Sequence, residues 1–96
     1  MPAAARLGDA GIPHCSPYVI ASGSPTVLIN GRPAARLGDS SSPHLLPARR
    51  CVPHKALIIT GAATVLINGR PAARVGDLLA GCTAIAQGSF TVFIGI

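Results

Sequence analysis

A stretch of fourteen residues recurs almost unchanged in this chain, and the recurrence restricts its possible folds more than any other feature. Residues 26–39 read TVLINGRPAARLGD and residues 64–77 read TVLINGRPAARVGD, so one position in fourteen differs. A third copy is divided between the chain ends. Residues 2–9 read PAAARLGD, and residues 88–96 read GSFTVFIGI, which matches GSPTVLING at 23–31. Two whole copies and one divided copy predict three quasi-equivalent units packed against their neighbours, with the divided unit closing the ring and giving pseudo-threefold symmetry.

Each unit has the composition of a β-hairpin. Thr-Val-Leu-Ile is a strand signal, Asn-Gly is the dipeptide favoured in a type I′ turn, and Arg-Pro-Ala-Ala-Arg-Leu continues as a second extended segment. Pro33 and Pro71 have no amide proton to give a ladder, so they belong at a strand start or on an edge. The same plan in the divided copy pairs the last strand with the first and brings Pro2 and Ile96 together. No apolar period of 3.6 residues persists, and nine Pro and eleven Gly interrupt every stretch, so no significant helix is expected. The expectation is one all-β domain spanning residues 1–96.

A chain of 96 residues with two Phe, one Tyr and no Trp has little bulky material for a core, and domains of this size commonly add a covalent or metal staple. The aliphatic residues come in strand-length groups. None approaches the roughly 18 apolar residues of a membrane helix, and residues 1–11 lack the apolar stretch of a signal peptide. Three cysteines, Cys15, Cys51 and Cys82, cannot all pair within the chain. Without an export signal the chain is expected to meet reducing conditions, which favours metal binding for at least one of them.

Counting from the Asp that ends each unit gives a metal-ligand register. Five residues after Asp9 stands His14, five after Asp39 stands His44, and five after Asp77 stands Cys82. Threefold symmetry would converge these three on the axis, as a tetrahedral zinc site requires of three of its ligands. The fourth is expected in the longest connection, in which Thr64 follows Asp39 by 25 positions and which contains His54. All three histidines follow proline, at positions 13, 43 and 53, whose fixed φ stiffens the segments that present them. The expected set is His14, His44, His54 and Cys82 around one zinc ion, with Cys51 and then Cys15 as substitutes and iron as an alternative metal. Four protein ligands fill a structural site and leave no position for a reactive water, and the metal-free chain is expected to lose its tip or unfold.

Nothing else in the sequence supplies catalysis. The acidic residues are Asp9, Asp39 and Asp77, each three positions after an Arg, and there is no Glu. A turn in which the Asp bonds local amides or its Arg accounts for them. Ser40, Ser41 and Ser42 precede Pro43-His44 without a nucleophile motif, and a histidine on zinc cannot act as a base. The chain is read as non-enzymatic.

The sequences RPAARLGD, RPAARVGD and PAAARLGD, with the three Pro-His steps and Gly81-Cys82, resemble the PAAR-repeat family along essentially the whole chain. That resemblance implies a sharp cone of short β-strands with zinc near its point, its ligands falling on His14, His44, His54 and Cys82. It also implies a seat on a trimeric β-helical spike, VgrG-like or from a phage tail, in the type VI secretion system or a related contractile machine. Such a protein is expected to assemble in the bacterial cytoplasm, to be ejected at the tip of the apparatus, and to cross the target-cell membrane transiently. One pseudo-threefold chain can match each hairpin to one subunit of a true trimer, through a base around Leu28, Asn30, Leu66, Asn68 and Phe93. The chain resembles the minimal tip, without an appended effector domain, although a separate effector could attach. The competing reading is a small zinc-stabilised nucleic-acid-binding module, suggested by a net charge of +5, a pI near 10.1 and the Arg49-Arg50 pair near Lys55. Scarce aromatic residues and the lack of a recognition helix argue against nucleic acid as a partner.

Overall fold

The Asn-Gly steps turn the chain as their backbone freedom predicts. In the computed structural model, which describes residues 2–13, 17–46, 52–81 and 83–95, Asn30 and Gly31 have φ of 53° and 79°, and Asn68 and Gly69 have 53° and 78°. Positive φ at both central residues is the type I′ geometry. On either side lie β1 (Leu28–Ile29) and β2 (Arg32–Pro33), paired antiparallel with Leu28 opposite Pro33. The second whole copy repeats this register in β5 (Leu66–Ile67) and β6 (Arg70–Pro71). Both prolines lie at the ends of two-residue strands, where no ladder depends on a missing amide proton.

The divided copy forms the third hairpin from the two ends of the chain. Ala3 bridges Phe93 in the antiparallel sense, Ala4 N donates to Val92 O at 2.9 Å, and Ile94 N donates to Pro2 O at 2.9 Å. The expected pairing of first and last strands therefore holds through Ile94, and Ile96 lies outside the described residues.

The second segment of each unit is shorter as a strand than its sequence suggests, because after Pro33 or Pro71 it leaves its own hairpin for the next unit. Arg6 bridges Ala34, Arg36 bridges Ala72, and Ala4 bridges Arg74. On the axis three alanines close a cycle: Ala5 N donates to Ala73 O, Ala73 N to Ala35 O, and Ala35 N to Ala5 O, each at 3.0 Å. All three are fully buried. A methyl group is what this position admits, since three side chains meet at one point, and the paired alanines of each copy follow from that crowding.

Beyond the alanine cycle the chain makes a closed ring of six extended segments. Around the axis the bridges run Ala10 to Val19, Ile20 to Ser41, Ser40 to Leu57, Ile58 to Leu79, Leu78 to Ala84, and Gly11 back to Ile85. Closure leaves no sheet edge in this layer. Residues 20, 58 and 85, all Ile, point inward with Ala5, Ala35, Ala73, Tyr18 and Leu79, and a second cluster gathers Ile29, Ile67 and Ile94 with Ala4, Ala34 and Ala72. The symmetry breaks at Tyr18, the buried aromatic. A Cβ on Gly11 would lie 2.0 Å from its ring, so the glycine makes the room the ring occupies, and the phenol meets Thr83 Oγ1 at 2.8 Å.

The long connection holds a further hairpin that the repeat does not contain. Strands β3 (His44–Leu46) and β4 (Val52–His54) pair antiparallel and extend the stack away from the alanine cycle. Among the described residues all regular structure is β and there is no helix. The molecule measures 38 × 23 × 23 Å, one long axis and two equal short ones, as a threefold stack requires.

Candidate metal centre and partner surface

At the end of each unit the Asp and its Arg fold into one buried turn. Arg36 N donates to Asp39 Oδ2 at 2.7 Å, Arg36 Nε to the same oxygen at 3.0 Å, and Nη2 to Oδ1 at 2.9 Å. Arg6 with Asp9 and Arg74 with Asp77 repeat all three bonds. Hydrogen bonding to Asp39 raises the pKa of Arg36 above its ordinary value, Coulomb attraction adds to this, and desolvation opposes it; Arg74 beside Asp77 behaves alike. The carboxylates are occupied by amides and guanidinium groups, the structural role their spacing predicts, and this ties the start of each turn to the ring above it.

The serines are spent in the same way. Ser41 Oγ accepts from Ala56 N at 3.0 Å, Ser42 Oγ from Val19 N at 3.1 Å, and Ser40 N donates to Ser22 Oγ at 3.0 Å. These bonds hold together the segments that lead to the tip.

Of the expected ligands, the structure places His44 and His54 directly opposite one another as partners in the β3–β4 ladder. Directly opposed antiparallel residues have Cα atoms about 4.5–5.5 Å apart, and the pair stands on a hairpin rooted by the bond from Ser41 N to Ala56 O at 2.8 Å. His14 and Cys82 lie outside the described residues, as do Cys15, Cys51 and the Arg49-Arg50 pair. Their described flanks adjoin one another: Ile12 N donates to Ala84 O at 2.8 Å, and Thr83 Oγ1 donates to Ile12 O. Among the described residues no three His, Cys, Asp or Glu side chains form a metal-binding group. Imidazole nitrogens with a thiolate are the donor chemistry of structural zinc, and two histidines opposed on one hairpin suit it.

At the other end the expected base residues separate into two kinds. Leu28, Leu66 and Phe93 occupy one register position in the three hairpins and are exposed. The side chains of Asn30 and Asn68 are engaged within the molecule. Asn30 Oδ1 accepts from Arg6 Nη1 at 3.2 Å and from Ser89 Oγ, while its Nδ2 donates to Thr91 Oγ1 at 2.9 Å. Asn68 makes the same bonds to Arg36, Ser24 and Thr26. The sequence signal for this network, overlooked in reading the repeat as a hairpin alone, is the Ser-x-Thr that precedes two of the three strands.

Compared with known protein families, residues 2–42 and 52–95 match the PAAR motif. The interval between the matched stretches takes in β3 and ends where β4 begins. A search of curated proteins finds no match. With three Pro-Ala-Ala-Arg or Ala-Ala-Ala-Arg turns closed on one alanine cycle and the motif matched along most of its length, this chain belongs to the PAAR-motif family.

Proposed function

We propose that this protein is a non-enzymatic, zinc-stabilised tip that caps the trimeric β-helical spike of a contractile injection machine and helps it pierce a target membrane. The PAAR motif is associated with such spike-tip proteins. The observation that carries the reading is the threefold set Leu28, Leu66 and Phe93, exposed at equivalent positions of three hairpins joined into one ring. Three apolar side chains exposed at one end are costly unless a partner covers them, and three equivalent hairpins suit three equivalent subunits. Turn geometry suits Asn30-Gly31 and Asn68-Gly69 to form the rim of that contact through their backbone.

In this reading His14, His44, His54 and Cys82 hold one zinc ion, which would fix the loops of the apex as a rigid point. The protein residues do the rest. The alanine cycle and the six-segment ring brace the stack through hydrogen bonds directed around the axis, and Arg6 and Arg36, each folded onto the Asp of its own unit, also reach Asn30 and Asn68 of a neighbouring unit. Assembly in the cytoplasm followed by ejection fits a chain whose described residues include no helix long and apolar enough to cross a membrane.

Copurification with a trimeric spike protein, combined with metal analysis, tests partner and metal together. Capture of a spike trimer by one copy of the chain with about one zinc is the expected result. Replacement of Leu28, Leu66 and Phe93 by Asp should abolish capture while leaving the metal content unchanged. Undiminished capture by the triple variant would remove the base from the proposal.

A further inference from the structure

The divided unit is the corner where the repeat departs from itself, and the two whole units serve as its internal controls. At the whole units the segment before the first strand carries Pro25 or Ala63, the facing strand carries Pro33 or Pro71, and a hydroxyl caps the buried Asp. Ser22 Oγ donates to Asp39 Oδ1 at 3.1 Å, and Thr60 Oγ1 donates to Asp77 Oδ1 at 2.8 Å. The divided unit has Phe90, Ala3 and Gln87 in these places. Ala3 takes less room than proline, and Gln87 turns its Oε1 to accept from Ala10 N at 3.0 Å.

An open cavity of about 490 Å³ lies at this corner, walled by Ala3, Val75, Phe90 and Phe93, with Arg32 and Gln87 among its polar groups. Phe90 is 94% exposed, although a large aromatic ring is the side chain most favoured by removal from water. Neither Pro25 nor Ala63 presents such a ring at the other corners. Asp9, at the floor, already accepts from Arg6 N, Nε and Nη2 and from Arg32 Nη2, so its carboxylate positions are taken. What the cavity has to offer is donors: the guanidinium of Arg32, with its side chain 41% exposed, and the amide NH2 of Gln87.

Charge points the same way over the wider surface. The chain has three acidic side chains, and Asp9, Asp39 and Asp77 are all buried at 5% exposure or less. The side-chain charges that face solvent among the described residues are therefore cationic, including Arg32, Lys55 and Arg70. A partner that complements this surface is acidic.

We propose that this corner binds an extended segment of an acidic protein partner, an apolar side chain entering between Phe90 and Phe93 and a neighbouring carboxylate meeting Arg32 and Gln87. Occupancy is one partner per chain, because the other two corners carry prolines and hydroxyl caps. A threefold base could not provide such singularity. Phe93 also belongs to the base, whereas Phe90, Arg32 and Gln87 distinguish this single corner from the threefold contact used in spike capping.

Titration of the isotope-labelled full chain with a blocked Gly-Leu-Asp-Gly tetrapeptide, followed by NMR, tests the proposal. Saturable shifts are expected at Ala3, Arg32, Gln87 and Phe90, and the Gly-Leu-Asn-Gly peptide should bind about tenfold more weakly through loss of the charge-assisted bond. Phe90→Ser alters an exposed side chain and should keep the fold while losing the peptide. Arg32→Gln should also lose it, whereas the matched change Arg70→Gln should not. Absence of saturable shifts up to about 10 mM, where binding is weaker than about 3 kcal/mol, would overturn the proposal. Equal binding of the Asp and Asn peptides, or equal loss in Arg32→Gln and Arg70→Gln, would do the same.

Discussion

Ala35 shows how a single residue type can be dictated by symmetry. Its amide donates to Ala5 O, its carbonyl accepts from Ala73 N, and its methyl group is fully buried where three units meet. Replacement by Val adds two carbon atoms at a point already occupied by two neighbouring methyl groups, and a close-packed interior has no free volume to receive them. Overpacking of this kind costs about 1–3 kcal/mol. The expected outcome for Ala35→Val is a lower denaturation midpoint with an unchanged denaturant slope, measured by urea unfolding; a midpoint equal to that of the wild type would show that the axis is looser than the hydrogen-bond cycle implies. The arginines of the Arg–Asp turns contribute differently. Bonding to Asp39 and Asp77 raises the pKa of Arg36 and Arg74 above the ordinary Arg value, so their stabilisation is fully present below that value and fades only as pH climbs through the still higher folded-state one.

The hairpin is the element the repeat specifies, and its glycines separate two kinds of constraint. Gly31 has φ of 79° and open space where a Cβ would stand, whereas a Cβ on Gly23 would lie 2.9 Å from the Cβ of Pro33 and 3.0 Å from two backbone carbonyl oxygens. Gly31→Ala therefore meets only backbone strain, about 1–2 kcal/mol. Gly23→Ala forces the first strand away from β2 and should cost more; thermal melts of the two variants give the order, and a reversed order would mean that the turn, not the packing before it, is the less tolerant. These hairpins were legible because Asn-Gly between apolar runs is a local signal, and ring closure was legible because the divided copy could pair only end to end. The β3–β4 hairpin was not legible. Its strands are His-Leu-Leu and Val-Pro-His, three residues each with a proline inside one of them and no alternation, so the segment reads as a connection. The pairing of Gly11 with Tyr18 was hidden for another reason: complementary volumes on two neighbouring segments leave no trace in a repeat that is otherwise symmetric. Of the candidate site, the register of His14, His44 and Cys82 came from counting, and the position of His54 opposite His44 came only with the ladder.

At the scale of the whole molecule, the arrangement of its layers decides what a bound metal would stabilise. The lower two layers hold themselves together without the tip. Their apolar clusters, the alanine cycle, the six-segment ring and three Arg–Asp turns include neither His44 nor His54, although Ser41 and Ala56 of these layers root the hairpin that carries both. The β3–β4 hairpin has three residue pairs of its own, and an isolated two-stranded hairpin is marginal in water. Zinc bound by His14, His44, His54 and Cys82 would therefore stabilise mainly the apex, even though structural zinc is worth roughly 10–16 kcal/mol in small peptides. Chelation is expected to unfold the molecule from the top, with the amides of residues 44–46, 52 and 54 losing hydrogen-exchange protection first and those of Ala5, Ala35 and Ala73 retaining it. His54→Ala should reproduce the pattern and lower the metal content. Simultaneous loss of protection at the apex and at the alanine cycle would make the metal a keystone of the entire fold, and unchanged protection at the apex would mean that the hairpin stands without any ion.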